Sequence, residues 1–152
     1  MRDNEIVAIG RPHRDTVIAW LHLARVYARL EQTLYSLLSQ HGLTPAQFDV
    51  LSHLASEPDL SQQALADRLL VTKGNVCGLI DRLERDGLAA RHTDPDDRRR
   101  HRLCLTDRGR RAFEGAAPEL EATIERGLSG LSGEERRTLM HLLGRLDRSL
   151  QP

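Results

Sequence analysis

The sequence predicts a mainly α-helical fold with one small β-hairpin, and three kinds of signal predict it. Apolar side chains recur every three or four residues through most of the 152-residue chain, which is the spacing of helices that bury one face. Ser or Thr stands where several helices would begin, and Gly stands where some would end. After Gly87 the period changes to two short extended runs around a polar segment that contains Pro, as is typical of a hairpin.

The first predicted helix spans residues 15–40, with Asp15 as its N-cap and the pair His41-Gly42 at its end. Its apolar residues have the spacing of about 3.5 that lets one helix pack along another. They are Trp20, Leu23, Tyr27, Leu30, Leu34 and Leu37. A helix of this length is long for a small domain, so we expect a partner helix from the same chain or from a second subunit.

The second predicted helix begins at a capping box. Thr44 is the N-cap, Pro45 occupies the first helical position and Gln47 is the third residue of the helix. Phe48, with Leu51 and Leu54, forms its buried face, and the helix ends near Ser56.

Two shorter helices follow, joined by a tight turn. Ser61 caps a helix over residues 62–69, and Thr72 caps a helix over residues 73–86 that Gly87 ends. The buried face of the longer helix has the i, i+3, i+4, i+7 spacing and consists of Val76, Leu79, Ile80 and Leu83.

The hairpin is predicted from strands at residues 88–92 and 102–105, with a charged loop over residues 93–101 between them. Cys104 lies in an apolar stretch of the second strand, so we expect it in the core.

Two helices end the chain. Thr106 caps a helix over residues 107–128, and Ser132 with Glu135 forms a capping box for a helix that reaches Leu150. The apolar residues of the last helix are Leu139, Leu142, Leu143, Leu146 and Leu150.

Two short helices joined by a turn and followed by a hairpin form a winged helix-turn-helix, whose second helix can present its outer face to DNA. The outward candidates are Thr72, Lys73, Gly74, Asn75, Cys77, Gly78 and Arg82. Gly74 and Gly78 admit two interpretations: close approach to a DNA backbone, or close packing against another helix.

The charge of the chain is zero in total but uneven. Residues 91–111 contain eight arginines and four aspartates, while the whole chain balances 22 basic against 22 acidic side chains. The basic segment is either a solvated loop or an element that contacts phosphates. An Asp beside an Arg can hold the guanidinium in one orientation. A hairpin loop that contains both residue types therefore suits entry into the minor groove of DNA.

Three stretches of the sequence resemble the MarR family of bacterial transcription regulators. They are the run from Ser61 to Leu69, the run from Val76 to Leu88, and the segment that starts at Asp94-Pro-Asp-Asp-Arg-Arg-Arg and ends at Gly109. The resemblance implies that Asp97 orients a minor-groove arginine at Arg99, with Arg98 and Arg100 in support. The DNA-binding residues that we expect are Ser61, Gln62, Thr72, Lys73, Asn75, Arg82, Asp97, Arg98, Arg99 and Arg100.

The resemblance also implies the organisation of the whole chain as one subunit, residues 1–152. Residues 15–40 and 107–150 would form dimerisation helices, and residues 44–105 would form the winged helix-turn-helix lobe. A homodimer of this kind binds a roughly palindromic operator in double-stranded DNA, and repression is the commoner mode of the family.

Members of the family often respond to a small molecule, frequently a phenolic or anionic one. Candidates for lining such an effector pocket between the first, second and fifth helices are Trp20, His22, Tyr27, Phe48 and Arg111. Cys77 supports an alternative, a regulator that senses oxidants through its thiol. No His or Cys pair has metal-ligand spacing, so we expect no metal.

The sequence gives little support for other classes of function. A phosphate-binding Gly-rich loop and a nucleophile elbow are both missing, so we expect no enzyme and no cofactor. No apolar run is long enough for a membrane span, and two cysteines fit a cytoplasmic protein. A winged helix that binds protein instead of DNA is the remaining rival, although it would not need an arginine-rich tip.

Overall fold

The computed structural model describes residues 14–93 and 101–150, and in them the chain forms six helices and three strands. Their bounds are α1 (Arg14–Gln40), α2 (Pro45–Ser56), β1 (Leu60–Ser61), α3 (Gln62–Leu69), α4 (Lys73–Arg85), β2 (Ala89–Thr93), β3 (His101–Leu105), α5 (Asp107–Gly127) and α6 (Gly133–Leu150). The predicted mainly α-helical fold with a hairpin is therefore confirmed, with boundaries that agree to about one residue.

The predicted caps account for the starts of five helices. The side chains of Thr44, Ser61, Thr72 and Thr106 each accept the backbone N–H three residues later, at 3.0–3.3 Å. Ser132 does the same for α6, and the Glu135 carboxylate accepts the Ser132 N–H at 2.7 Å. Each cap satisfies a backbone donor that the first turn of a helix leaves without a partner.

The prediction for the start of the first helix is wrong. Asp15 is not the N-cap of α1, because the helix already includes Arg14 and Asp15 lies in its first turn. An acidic side chain is favourable at either place, since the positive end of the helix dipole extends over the whole first turn.

The hairpin pairs β2 with β3, and β1 adds a third strand that the sequence analysis did not predict. The antiparallel sheet has the order β1-β3-β2, with Leu60 opposite Leu103 and Thr93 opposite His101. A two-residue strand has no periodicity of its own. Its hydrogen bonds depend on β3, which comes much later in the chain.

Cys104 was predicted to lie in the core, and this prediction is wrong. Successive side chains of a strand point to opposite faces. Leu103 takes the buried face of β3 and is fully buried, whereas Cys104 is partly exposed on the other face.

The hydrophobic core lies in the winged helix-turn-helix lobe. Helices α2, α3 and α4, the sheet and the first half of α5 supply nearly all of it, while α1 contributes Leu38 and α6 has no buried residue. The apolar faces of the two terminal helices are therefore largely exposed in a single subunit. In the part of the chain that the structure describes, no helix has the length and apolar character to cross a membrane.

Candidate nucleic-acid interface

The turn between α3 and α4 consists of three residues, Leu70, Val71 and Thr72. Leu70 adopts the left-handed conformation, with φ 53° and ψ 38°, and reverses the chain direction at the end of α3. The Val71 N–H donates to the carbonyl of Ala66 at 3.1 Å, and the Thr72 hydroxyl then caps α4. This turn fixes the angle at which α4 leaves α3.

Helix α4 has one buried face and one exposed face. Val76, Ile80 and Leu83 are fully buried against the core, as the spacing predicts, and Leu79 is partly buried. On the other side the first turns of the helix present exposed polar groups. The predicted DNA-binding residues Thr72, Asn75 and Arg82 are all exposed there, and Lys73 is the first residue of the helix.

The glycines of α4 are not needed for packing inside this subunit. A Cβ atom on Gly78 would meet nothing within 4 Å, and one on Gly74 would meet only the Thr72 hydroxyl at 4.0 Å. The interpretation that these glycines allow close helix packing therefore finds no support within the subunit. Both lie on the part of α4 that is open to a partner.

Several of the predicted DNA-binding residues make hydrogen bonds within the chain. The Ser61 hydroxyl accepts the N–H of Ala64 at 3.1 Å as the cap of α3. With its amide oxygen turned toward Arg91, Gln62 accepts hydrogen bonds from Nη2 and Nε of that guanidinium at 3.1 and 3.0 Å. Arg82 donates from Nε to the carbonyl of Gly78 at 3.2 Å and remains exposed.

Arg91 of β2 is the centre of a polar cluster that the sequence analysis did not single out. Its guanidinium forms ion pairs with Asp81, at 2.6 Å, and with Glu84, both of α4. Partial burial acts to lower the pKa of Arg91, but hydrogen bonds and charge from Asp81 and Glu84 outweigh it and the pKa is raised. The side chain of Arg91 is 21% exposed, whereas that of Asp81 is 57% exposed, so the pair with Asp81 stays open to water on the carboxylate side.

The strands of the wing lead into its charged tip. The last pair of the hairpin is Thr93 with His101, and Asp97, Arg98, Arg99 and Arg100 lie between them, outside the residues that the structure describes. On the exposed face of the strands, Nε2 of His92 is 2.9 Å from the sulfur of Cys104. Burial, followed by the charge of Asp59, raises the pKa of the Cys104 thiol, which disfavours the nucleophilic thiolate.

The five candidate effector residues lie on three helices, α1, α2 and α5, and differ in burial. Trp20 and Tyr27 are 65% and 63% exposed on α1, and His22 and Arg111 are also exposed. Phe48 is buried and packs on Phe113 with a ring-centre distance of 5.3 Å. Its role within the subunit is to join α2 to α5.

Two concavities are lined by residues other than these candidates. One of about 340 Å³ lies beside the outer face of α4, and another of about 430 Å³ lies between α1 and α5. The first is lined by Thr44, Ala46, Gln47, Asp49, Leu69, Val71, Asn75, Leu79 and Arg82. Partial burial raises the pKa of Asp49, against the opposing charge of His53. Among residues 14–93 and 101–150, no three His, Cys, Asp or Glu side chains come together as a metal site would need.

Comparison with known proteins agrees with this geometry. A model described as the MarR family matches residues 41–100. The uncharacterized HTH-type transcriptional regulator YkoM of Bacillus subtilis (strain 168) is 36% identical over 127 residues, which cover 81% of this chain and 82% of that protein.

Solved structures are similar over most of their length. The transcriptional repressor CouR, bound to a 23-mer DNA duplex, has a TM-score of 0.79 at 30% identity, covering 92% of this chain and 99% of that one. The PcaV transcriptional regulator from Streptomyces coelicolor, in complex with its natural ligand, has a TM-score of 0.73 at 30% identity, covering 86% and 92%.

Proposed function

The chain belongs to the MarR family of DNA-binding transcriptional regulators, and on that premise we propose that it is a homodimeric repressor. Helix α4 enters the major groove of a palindromic operator, and the arginine-containing tip of the wing enters the adjacent minor groove. The CouR structure supports this proposal, since that similar protein is a repressor bound to a DNA duplex.

The outer face of α4 is the observation that carries the proposal. Its exposed side combines polar Thr72 and Asn75 with the arginine at position 82, and the two glycines leave room for a close partner. Amide and guanidinium groups are suited to base edges and phosphates, and the N-terminus of a helix favours an anion.

Exposed apolar side chains on the terminal helices support the homodimer. Trp20 and Tyr27 of α1, and Leu143, Leu146 and Leu150 of α6, are all substantially exposed in a single subunit. Burying such residues between two copies would remove a large apolar surface from water. A two-fold axis through these helices also gives the paired α4 helices that a palindrome requires.

We also propose that a small organic effector releases the DNA. The support is the similar protein PcaV, which was solved in complex with its natural ligand. The candidate side chains remain those of Trp20, His22, Tyr27, Phe48 and Arg111, although in a single subunit they line neither of the two concavities beside α4 and α5. Titrating the operator complex with a panel of aromatic acids tests this, with release of DNA expected for one class of compound and no release by any of them contradicting it.

A gel shift at fixed salt tests the DNA-binding mode, using the DNA upstream of the gene that encodes this chain. We expect Arg99→Ala to weaken binding about 5- to 150-fold, which corresponds to about 1–3 kcal/mol. Arg137→Ala, at an exposed arginine of α6, is the matched control and should bind normally. Normal binding by the Arg99 variant would remove the wing from the proposal.

The salt dependence of binding separates DNA recognition from the rival interpretation as a protein-interaction module. Six or more phosphate contacts per dimer give a slope of about −5 or steeper for log affinity against log salt concentration. A flat slope would favour the interaction module instead.

A further inference from the structure

One arginine joins three elements of the DNA-binding lobe. Arg91 lies in the middle of β2, and its guanidinium contacts Gln62 at the start of α3 and a pair of carboxylates on α4. These three elements, α3, α4 and β2, follow one another along the chain. The wing strand is therefore tied to both helices of the helix-turn-helix through one side chain.

The contacts between Arg91 and α4 resist both rotation of β2 relative to α4 and separation of the two elements. Glu84 accepts the backbone N–H of Arg91 at 2.9 Å and also pairs with its guanidinium. Asp81, one turn earlier on α4, takes Nη2 at 2.6 Å, and the same nitrogen lies 3.4 Å from the carbonyl oxygen of Cys77. The planar guanidinium with several fixed donors is the group that can satisfy such a set together, and a lysine ammonium is not.

The place of Arg91 in the hairpin connects this cluster to the tip. Thr93 is the last described residue of β2, and the tip that contains Arg99 follows it directly. The direction of β2 relative to α4 therefore decides where the tip begins. Helix α4 is itself held by the buried side chains of Val76, Ile80 and Leu83, independently of Arg91.

We propose that Arg91 is a positioning residue that locks the wing to α4, so that the two elements meet the duplex as one rigid unit. This inference rests on the proposed function, because it assigns the wing a contact with DNA. Gln62 belongs to the same lock: its amide orients Arg91, and it is not a base-reading group. Arg91 acts through Arg99 and does not itself contact DNA.

A double-mutant cycle tests the lock, with operator affinity measured by gel shift at fixed salt. Arg91→Lys keeps the charge and removes the planar fork. We expect it to weaken binding within the same range of about 5- to 150-fold as Arg99→Ala. The double variant should bind about as weakly as the weaker single variant, because a displaced wing has already lost the Arg99 contact. Losses that multiply in the double variant would overturn the inference.

Two further variants separate positioning from general destabilisation. Arg91→Lys combined with Asn75→Ala should show losses that multiply, since α4 keeps its place without the lock. Arg68→Lys alters another 2.6 Å ion pair, with Glu57, that involves neither the wing nor α4, and it should bind normally. Glu84→Gln repeats the cycle with Arg99→Ala from the other side of the lock if the Arg91 variant does not fold.

The outcomes distinguish this inference from the function on which it rests. If Arg99→Ala binds normally, the proposed role of the wing fails. If Arg99→Ala weakens binding while Arg91→Lys and Glu84→Gln do not, the wing keeps its role and the lock is rejected.

Discussion

Gly109 lies against the carbonyl oxygen of Leu88 so closely that a Cβ atom on Gly109 would be 1.8 Å from that oxygen. The same carbonyl accepts the N–H of Thr106 at 3.2 Å, and the Thr106 hydroxyl donates to the carbonyl of Gly87 at 2.6 Å. The first turn of α5 is thus fixed on the base of the wing. This contact sets the angle between the DNA-binding lobe and the helix that leads to the terminal region.

We expect Gly109→Ala to lower the free energy of unfolding by about 1–3 kcal/mol or more, since overpacking against backbone has no flexible side chain to relieve it. Urea denaturation followed by circular dichroism measures the loss.

Gly115→Ala is the matched control in the same helix. A Cβ atom at Gly115 would meet nothing within 4 Å. Alanine is the better helix former, so this variant should be more stable by up to about 1 kcal/mol. Equal effects of the two substitutions would contradict the close contact at Leu88.

Gln47 supports a second prediction, because its buried amide joins two helices. Its Nε2 donates to Asp86 at the end of α4 at 3.0 Å, while its Oε1 accepts the N–H of Thr44 at 3.0 Å. Removing a partner from a buried hydrogen-bonded pair leaves the other group without compensation for lost water. We expect Gln47→Ala to cost about 1–3 kcal/mol of stability by urea denaturation.

An exposed glutamine provides the comparison. Gln63 donates to Asp67 one turn later at 2.9 Å, on the surface of α3. Such a pair contributes about 0.2–0.5 kcal/mol, so Gln63→Ala should be nearly neutral. If both variants were nearly neutral, the amide of Gln47 would have no structural role.

The features that sequence analysis predicts correctly are local ones. Thr44, Thr72 and Thr106 each cap a helix by accepting the backbone N–H three residues later, so the signal for a cap lies within a window of four residues. The alternation of buried and exposed side chains along β3 is also local. Which of the two faces is buried decides the burial of Leu103 and Cys104, and the prediction for Cys104 was wrong.

The features that the sequence analysis missed depend on how different helices and strands pack together. Strand β1 exists because β3 passes beside it, and the cluster around Arg91 depends on how β2 packs against α3 and α4. Arg91 stood out only as one member of a basic segment. Its pairing with Asp81 and Glu84 follows from tertiary packing, for which a single sequence carries no periodic signal.

Leu70 supports a prediction about backbone strain. It is 87% exposed and left-handed, with φ 53°. That conformation costs a residue with a Cβ atom about 1–2 kcal/mol, while the extra freedom of glycine in the unfolded chain offsets about 0.5–1 kcal/mol. We therefore expect Leu70→Gly to raise the free energy of unfolding by up to about 1 kcal/mol.

The reverse change at another left-handed position is the control. Gly42 has φ 69° and open space where a Cβ atom would go. Gly42→Ala should lower stability by about 1 kcal/mol through backbone strain alone. A shift of both variants in the same direction in thermal unfolding would contradict the strain argument.

The proposed dimer predicts the behaviour of charges placed on α6. Leu142 and Leu146 are exposed and belong to the apolar face of this helix. We expect the double variant Leu142→Glu, Leu146→Glu to be monomeric in sedimentation or light scattering, because each buried carboxylate would lose its water. The DNA-binding lobe should keep its helical signal, since α6 contributes no buried residue to it.

Charges on the opposite face of α6 form the control for this measurement. Arg137 and Arg148 are exposed on that face, and their replacement by Glu should leave the dimer intact. A dimer that survives the leucine substitutions would place the subunit interface elsewhere.

Glu135 makes the stability of α6 depend on pH. Its carboxylate accepts the backbone N–H of Ser132, and this bond, followed by the bond from the Ser132 side chain, lowers its pKa from the ordinary value of 4.5. A group with a lowered pKa in the folded state stabilises the protein fully above its unfolded pKa. That stabilisation is lost as the pH falls through the folded pKa.

Glu135→Gln retains a capping box but cannot titrate. We therefore expect the difference in free energy of unfolding between the natural chain and this variant to shrink between pH 6 and pH 3. A difference that stays constant over that range would show that the carboxylate of Glu135 is not held by Ser132 in solution.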